Sequence, residues 1–220
     1  MLVGLIPAAG HATRLGPQAS SKEMLRVRGR PMIDHLVGRL RVVDPDELRV
    51  VTRPEKEDVT RHAVQMGARV IHGHPSEVAE SLLLGIEGLA DDDEVLFGFP
   101  DSLWEPADGF ARVLARLRAG VAVALGLFRL TEGLERSDVV TLGEGHRVAG
   151  VSVKPGQPAD DLIWGIAGIS AGLLRQLPED GEPGTFFDEI AKRDVVSGVE
   201  LSSEWLDIGT PEALRRARES

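Results

Sequence analysis

The 220-residue chain has no cysteine, which excludes a disulfide framework, a thiolate metal site and a thiol nucleophile, and suits a cytosolic setting. Lysine is scarce. Of 25 basic residues only Lys22, Lys56, Lys154 and Lys192 are lysines, so each invites a reason. No run approaches the roughly 18 consecutive apolar residues of a spanning helix, and Met1 leads into a short apolar stretch with no basic leader, so no membrane partner is expected. A net charge of -10 argues against nucleic acid, which is held by clustered Lys and Arg. Any phosphate bound here must be small and locally held. With 42% apolar and 27% charged residues, the composition is that of a globular chain with a sizeable core.

The apolar pattern predicts a strand over Leu2 to Ile6 and a loop of small and polar residues to Pro17. Met32, Ile33, Leu36, Val37 and Leu40 recur at helical spacing after Pro31. Strands at 48–52, 68–71, 94–99 and 121–128 then alternate with helical segments at 53–66, 76–89 (capped by Ser76) and around Phe110 to Leu117. Such alternation predicts parallel strands with helices on both faces. In the second half, 138–142 and 147–153 flank a glycine-bearing connection, which predicts an antiparallel hairpin. A strand at 163–170, a helix at 185–193, a strand at 195–201 and a helix from Pro211 complete the series. The expected fold is α/β: one domain, 1–220, a Rossmann-like three-layer sandwich with a mixed, mostly parallel sheet. In such sheets ligands bind beyond the carboxyl ends of the strands.

Chemistry concentrates first in Ile6 to Leu25. Ala8, Ala9, Gly10, Ala12 and Thr13 carry small side chains, so their backbone N–H groups can approach an anion. Arg14 adds a fixed fork of donors and Lys22 a mobile charge. The alternative is a tight strand-to-helix turn with two solvated cations. Neither a P-loop nor a dinucleotide fingerprint is present. Asp101 follows a strand, where a metal-binding carboxylate belongs, although a Pro-Asp turn explains it too. Asp207 precedes Gly-Thr-Pro, where Thr210 can cap the last helix. His72 and His74 lack the partners a metal site needs.

Together, Gly10 to Pro17, Ser21 to Val27 and Arg30 to Ile33 resemble the signature of the sugar-1-phosphate nucleotidylyltransferases, and most of all the glucose-1-phosphate thymidylyl- and uridylyltransferases. The stretches around Asp101 and Glu204 to Glu212 look like that family's magnesium motifs. The resemblance implies a nucleotide-diphospho-sugar transferase fold, a nucleotide-binding part at about 1–105 and a sugar-phosphate-binding part at about 106–220, with no appended domain. It also implies Mg2+ as cofactor, held by Asp101 and Asp207, with Arg14 and Lys22 stabilising the charge of a nucleoside triphosphate. Lys154 would contact the phosphate of a sugar 1-phosphate, and Trp164 and Gly168 would flank the sugar. Glu80 and Ser81 would meet the base, a carboxylate accepting hydrogen bonds where relatives often offer an amide. Val153 departs from the pattern, standing where the family usually has an acidic residue. These departures keep cytidylyl or guanylyl transfer to another acceptor in play, as well as a catalytically silent regulatory domain. The implied partners are the two substrates, with a homo-oligomer left open.

Overall fold

The computed structural model describes residues 1–11, 20–202 and 204–219. Its strands are β1 (Leu2–Pro7), β2 (Arg26–Val27), β3 (Arg30–Pro31), β4 (Glu47–Thr52), β5 (Arg69–His72), β6 (Glu94–Gly98), β7 (Ser102–Trp104), β8 (Val123–Arg129), β9 (Val139–Leu142), β10 (Val148–Ser152), β11 (Leu162–Ser170), β12 (Val196–Ser202) and β13 (Trp205–Asp207). The helices are α1 (Met32–Leu40), α2 (Glu57–Gln65), α3 (Val78–Gly85), α4 (Gly109–Arg118), α5 (Ala171–Leu174), α6 (Pro183–Arg193) and α7 (Pro211–Glu219).

One large sheet runs β10-β9-β11-β6-β1-β4-β5, with β8 on β11 and β12 on β8. β1 lies parallel to both β4 and β6, as the alternating first half predicts. β11 is antiparallel to both β6 and β8, so it is an inverted strand between two that share a direction. The 139–152 hairpin is antiparallel, as expected.

Strand periodicity builds the layers. On β1, Val3 and Leu5 enter one core with Ala79 and Leu82 of α3, Ile86 just after it, and Phe186, Phe187 and Ile190 of α6. Leu2 and Ile6 enter the opposite core with Ile33, Leu36 and Leu40 of α1 and Phe110 and Val113 of α4. β6 divides the same way, Val95 and Phe97 against Leu96. This is a three-layer α/β domain. Gly85 lets α3 lie close on the sheet, because a Cβ there would strike the Leu5 side chain.

Two features escape sequence patterning. β2 pairs β3, and β7 pairs β13, as two-residue and three-residue ladders too short for a periodic signal. A third core of Leu25, Val27, Met32, Leu103, Ile208, Leu214 and Ala217 seats α7 over them. Thr210 caps that helix, accepting from the Ala213 N–H at 3.2 Å. Ser76, expected to cap α3 with its side chain, instead donates its backbone N–H and hydroxyl to the Glu80 carboxylate.

Phe97 is fully buried on the central strand β6. Phe97→Ala should cost about 3–5 kcal/mol of unfolding free energy, measured by chemical denaturation; a loss below about 1 kcal/mol would contradict the packing described.

Candidate active site

β4 joins one side of β1, and β6 joins the other. Their carboxyl ends therefore diverge at a topological switch point, where open α/β sheets form ligand crevices. A cleft of about 220 Å³ opens there. Pro7, Ala9 and Gly10 line it from β1, Phe99, Pro100 and Asp101 from β6, and Glu77, Val78 and Ser81 from α3, with Lys22 and Glu23 beside them.

Lys22 sits in a 3-10 turn, Lys22–Met24, and places Nζ 2.5 Å from Asp101 Oδ2. Both are largely shielded, with side-chain exposures of 11% and 27%. The turn is tethered from its amino side. Ser21 donates its N–H and hydroxyl to the Asp58 carboxylate at 2.7 and 2.6 Å. Although burial works the other way, those bonds hold the Asp58 carboxyl below its ordinary value.

Lys56 ties the turn to β1. Its Nζ donates to Glu23 Oε1 at 2.8 Å and to the Ala8 carbonyl at 2.9 Å. Arg53 reinforces the loop by donating to the Ala9 and Pro75 carbonyls at 2.7 and 2.6 Å. Burial pushes the Glu23 carboxyl up against the pull of Lys56, and Glu23 Oε2 is buried without a hydrogen-bond partner. Sequence reasoning assigned roles to neither Glu23 nor Lys56. The scarcity of lysine was the available signal.

The predicted site residues divide among several places. Ala9, Gly10, Lys22, Ser81 and Asp101 share the cleft. Ala8 is buried and its N–H bonds to the Val51 carbonyl, extending the sheet in place of offering a free donor. Glu80 lines a separate depression with His74 and Glu179, its carboxylate turned to Ser76. Ala12, Thr13 and Arg14 lie outside the described residues.

Asp207 comes to Asp101 through the backbone. It stands opposite Ser102 in the β7–β13 ladder, and the Ile208 N–H donates to the Asp101 carbonyl at 2.8 Å. Asp207 itself borders a different cavity, of about 520 Å³, with Arg129, Arg136 and Arg216. Asp101, in the turn after β6, and Asp207, at the end of β13, each offer the hard oxygen donors that Mg2+ takes, and they line different cavities. No group of three or more acidic or imidazole ligands occurs among the described residues.

On the far side, Trp164 is 7% exposed, packed on Phe97, Phe99 and Phe187, and donates its indole N–H to Asp138 Oδ2 at 3.1 Å. Lys154, after β10, bonds Glu182 Oε1 at 2.7 Å and is half exposed. It does not line the Lys22 cleft. Gly168 lies inside β11 between Leu96 and Ala124, and a Cβ there would reach 3.0 Å from Val113 of α4. Its smallness serves helix packing.

The geometry is a cleft at a switch point in which one lysine stands among carboxylates. Residues 4–134 match the model of the MobA-like NTP transferase domain. The chain belongs to that family. Among curated relatives it is similar to a glucose-1-phosphate thymidylyltransferase of Neisseria meningitidis, 24% identical over 235 residues, covering 97% of this chain and 80% of the relative. It also resembles a 2-C-methyl-D-erythritol 4-phosphate cytidylyltransferase of Chromobacterium violaceum, 29% identical, covering 68% and 66%. A crystal structure from Bacillus anthracis, provisionally named a glucose-1-phosphate thymidylyltransferase, superposes with a TM-score of 0.88 at 22% identity, covering 100% of this chain and 94% of that one. This NTP transferase is therefore a nucleotidyltransferase acting on phosphate substrates, with the nucleotide-diphospho-sugar transferase fold. No helix among its described residues is long and apolar enough to cross a membrane.

Removing one partner of the shielded Lys56–Glu23 pair strands a buried charge. Lys56→Met should cost about 3–5 kcal/mol in equilibrium unfolding, and Glu23→Met with Lys56→Met should recover most of it. Equal stability of Lys56→Met and the parent would show that the pair does not anchor the turn.

Proposed function

We propose that the chain transfers a nucleotidyl group from dTTP or UTP to a sugar 1-phosphate, glucose 1-phosphate foremost, giving a nucleotide sugar and pyrophosphate. The observation that carries this reading is the Lys22–Asp101 pair in the crevice between β1 and β6, a cation and a metal-type carboxylate side by side. Residues 1–105 would serve the nucleotide and 106–220 the acceptor. The relatives' names support a phosphate acceptor and two different bases.

The chemistry is an in-line displacement. An oxygen of the acceptor phosphate attacks the α-phosphorus, a new phosphoanhydride bond forms, and the bond to the β-phosphate oxygen breaks with pyrophosphate departing. The acceptor needs little help as a nucleophile, because a phosphate monoester with a second pKa near 6 is largely doubly ionised at neutral pH. The protein's task is placement and charge neutralisation. Lys22 supplies a cation to the triphosphate and, from the adjoining segment, Arg14 a second. Lys154 holds the incoming phosphate, with Trp164 at the sugar's side. Asp101 and Asp207 would hold Mg2+, which when bound neutralises phosphate charge. Ala9, Gly10 and Ser81 bound the nucleotide's position.

A second reading, cytidylyl transfer to a non-sugar phosphate, draws on the Chromobacterium violaceum relative. Here the Glu80 carboxylate, already satisfied by Ser76, leaves base selection to other groups of the cleft.

Pyrophosphate release, assayed over dTTP, UTP, CTP and GTP against a panel of sugar and polyol phosphates, should single out a thymidine or uridine triphosphate with a sugar 1-phosphate. Preference for CTP with a polyol phosphate would select the second reading, and nucleotide binding without turnover would select a regulatory domain. Asp101→Asn should lower kcat about 100-fold or more with the fold intact by circular dichroism. Lys154→Ala should raise the acceptor KM about tenfold or more, and a rise confined to the nucleotide KM would remove it from the acceptor.

A further inference from the structure

β6 ends at Gly98, opposite Ile166 of β11, and β9 begins at Val139, opposite Ile163 of the same strand. β9 thus takes over beside β11 where β6 stops. Asp138, the residue before β9, is thereby brought to the carboxyl end of the central strands. Trp164 bridges the gap: its indole donates to the Asp138 carboxylate, and its ring lies 5.7 Å from Phe99, which lines the Lys22–Asp101 cleft.

Around that carboxylate the chemistry is mixed. Asp138 accepts from the Lys154 backbone N–H, and the Lys154 side chain pairs with Glu182. Val153, next in the chain to Lys154, brings only methyl groups to this neighbourhood, a Cβ on Gly184 lying 3.0 Å from its Cγ2. The same Cβ would strike Asp138 Oδ2, so the glycine in the first turn of α6 leaves room for the carboxylate. Asp138 remains partly exposed, with two known donors for two oxygens that can accept about four bonds. A carboxylate with spare acceptor capacity, next to a lysine and an aromatic wall, is complementary to a hydroxyl-bearing organic phosphate: hydroxyls donate to the acid and the anion faces the ammonium.

We propose that Asp138 reads a hydroxyl group of the acceptor and so determines which phosphorylated polyol or sugar is used, an inference that rests on the transferase reading above. Burial raises the Asp138 carboxyl above its ordinary value, against the hydrogen bond from Trp164 and the charge of Lys154, so its surroundings leave it less solvated than a surface acid and better served by an additional donor. Nothing in the patterning of the chain marks it, since it reads as the polar start of a strand.

The test crosses enzyme and substrate changes. Initial rates of pyrophosphate release are measured for the parent, Asp138→Ala and Asp138→Asn with the sugar or polyol phosphate that the panel identifies and with its monodeoxy analogues. In the parent, one analogue should lose about 10- to 100-fold in kcat/KM, the effect of one charge-assisted hydrogen bond. In Asp138→Ala the same analogue and its parent compound should differ by less than about twofold, with the nucleotide KM unchanged. Asp138→Asn conserves volume and an acceptor for the indole, and should keep part of the discrimination; it also carries the comparison if the alanine variant fails to fold. Undiminished discrimination in both variants, or no discriminated analogue in the parent, overturns the assignment while leaving the transferase reading in place. So does an equal rise in nucleotide and acceptor KM, the mark of a merely structural anchor for α6. A parent chain that releases no pyrophosphate from any pair overturns the transferase reading and this inference with it.

Discussion

A lysine and an aspartate 79 residues apart close the base of the cleft, Lys22 Nζ lying 2.5 Å from Asp101 Oδ2. The rest of the site depends on that meeting. Lys22 comes from the turn beyond β1 and Asp101 from the turn beyond β6, so the contact exists only because those strands are hydrogen-bonded neighbours, Leu5 beside Phe97. In a partly shielded crevice the pair interacts more strongly than on an open surface, and both groups stand where a polyanionic ligand would enter. The pairing is electrostatic, the ammonium of one segment held on the carboxylate of the other.

Each of the four lysines is committed in the same manner. Lys22 pairs with Asp101, Lys56 with Glu23, Lys154 with Glu182 and Lys192 with Asp188. The partners differ in what they accomplish. Lys56 joins three segments by bonding Glu23 and the Ala8 carbonyl, and Asp188, besides Lys192, accepts the Val151 N–H and so ties α6 to β10. In a chain of net charge -10, these pairings leave the surroundings of each lysine close to neutral.

β11 joins the two ends of the site. As the inverted strand it pairs β6 and β9 along one edge and β8 along the other. Trp164 on that strand spans from Asp138 to Phe99 and so forms a seam between the start of β9 and the cleft. Gly168, four residues on, lies under α4 among Leu96, Val113 and Leu117 and has no part in the seam. Two residues from one apolar run thus serve different ends: four apart, they would share a face by simple alternation, but the register shift between Trp164 and Ile166 turns them to opposite layers.

Most elements were legible from the chain, since the short apolar run of β1 and the three-and-four spacing of Ile33, Leu36, Val37 and Leu40 are local consequences of backbone geometry. The residue types of the cleft were legible too, because small residues after a strand, a lysine and a carboxylate carry their chemistry with them. Which groups meet was decided by tertiary structure. Sequence does not say that Lys56 anchors Glu23, that the β7–β13 ladder sets Asp207 opposite Ser102, or that Asp138 receives the Trp164 indole. Those meetings depend on strand order and on short ladders between distant segments, and such long-range contacts leave no period in the chain.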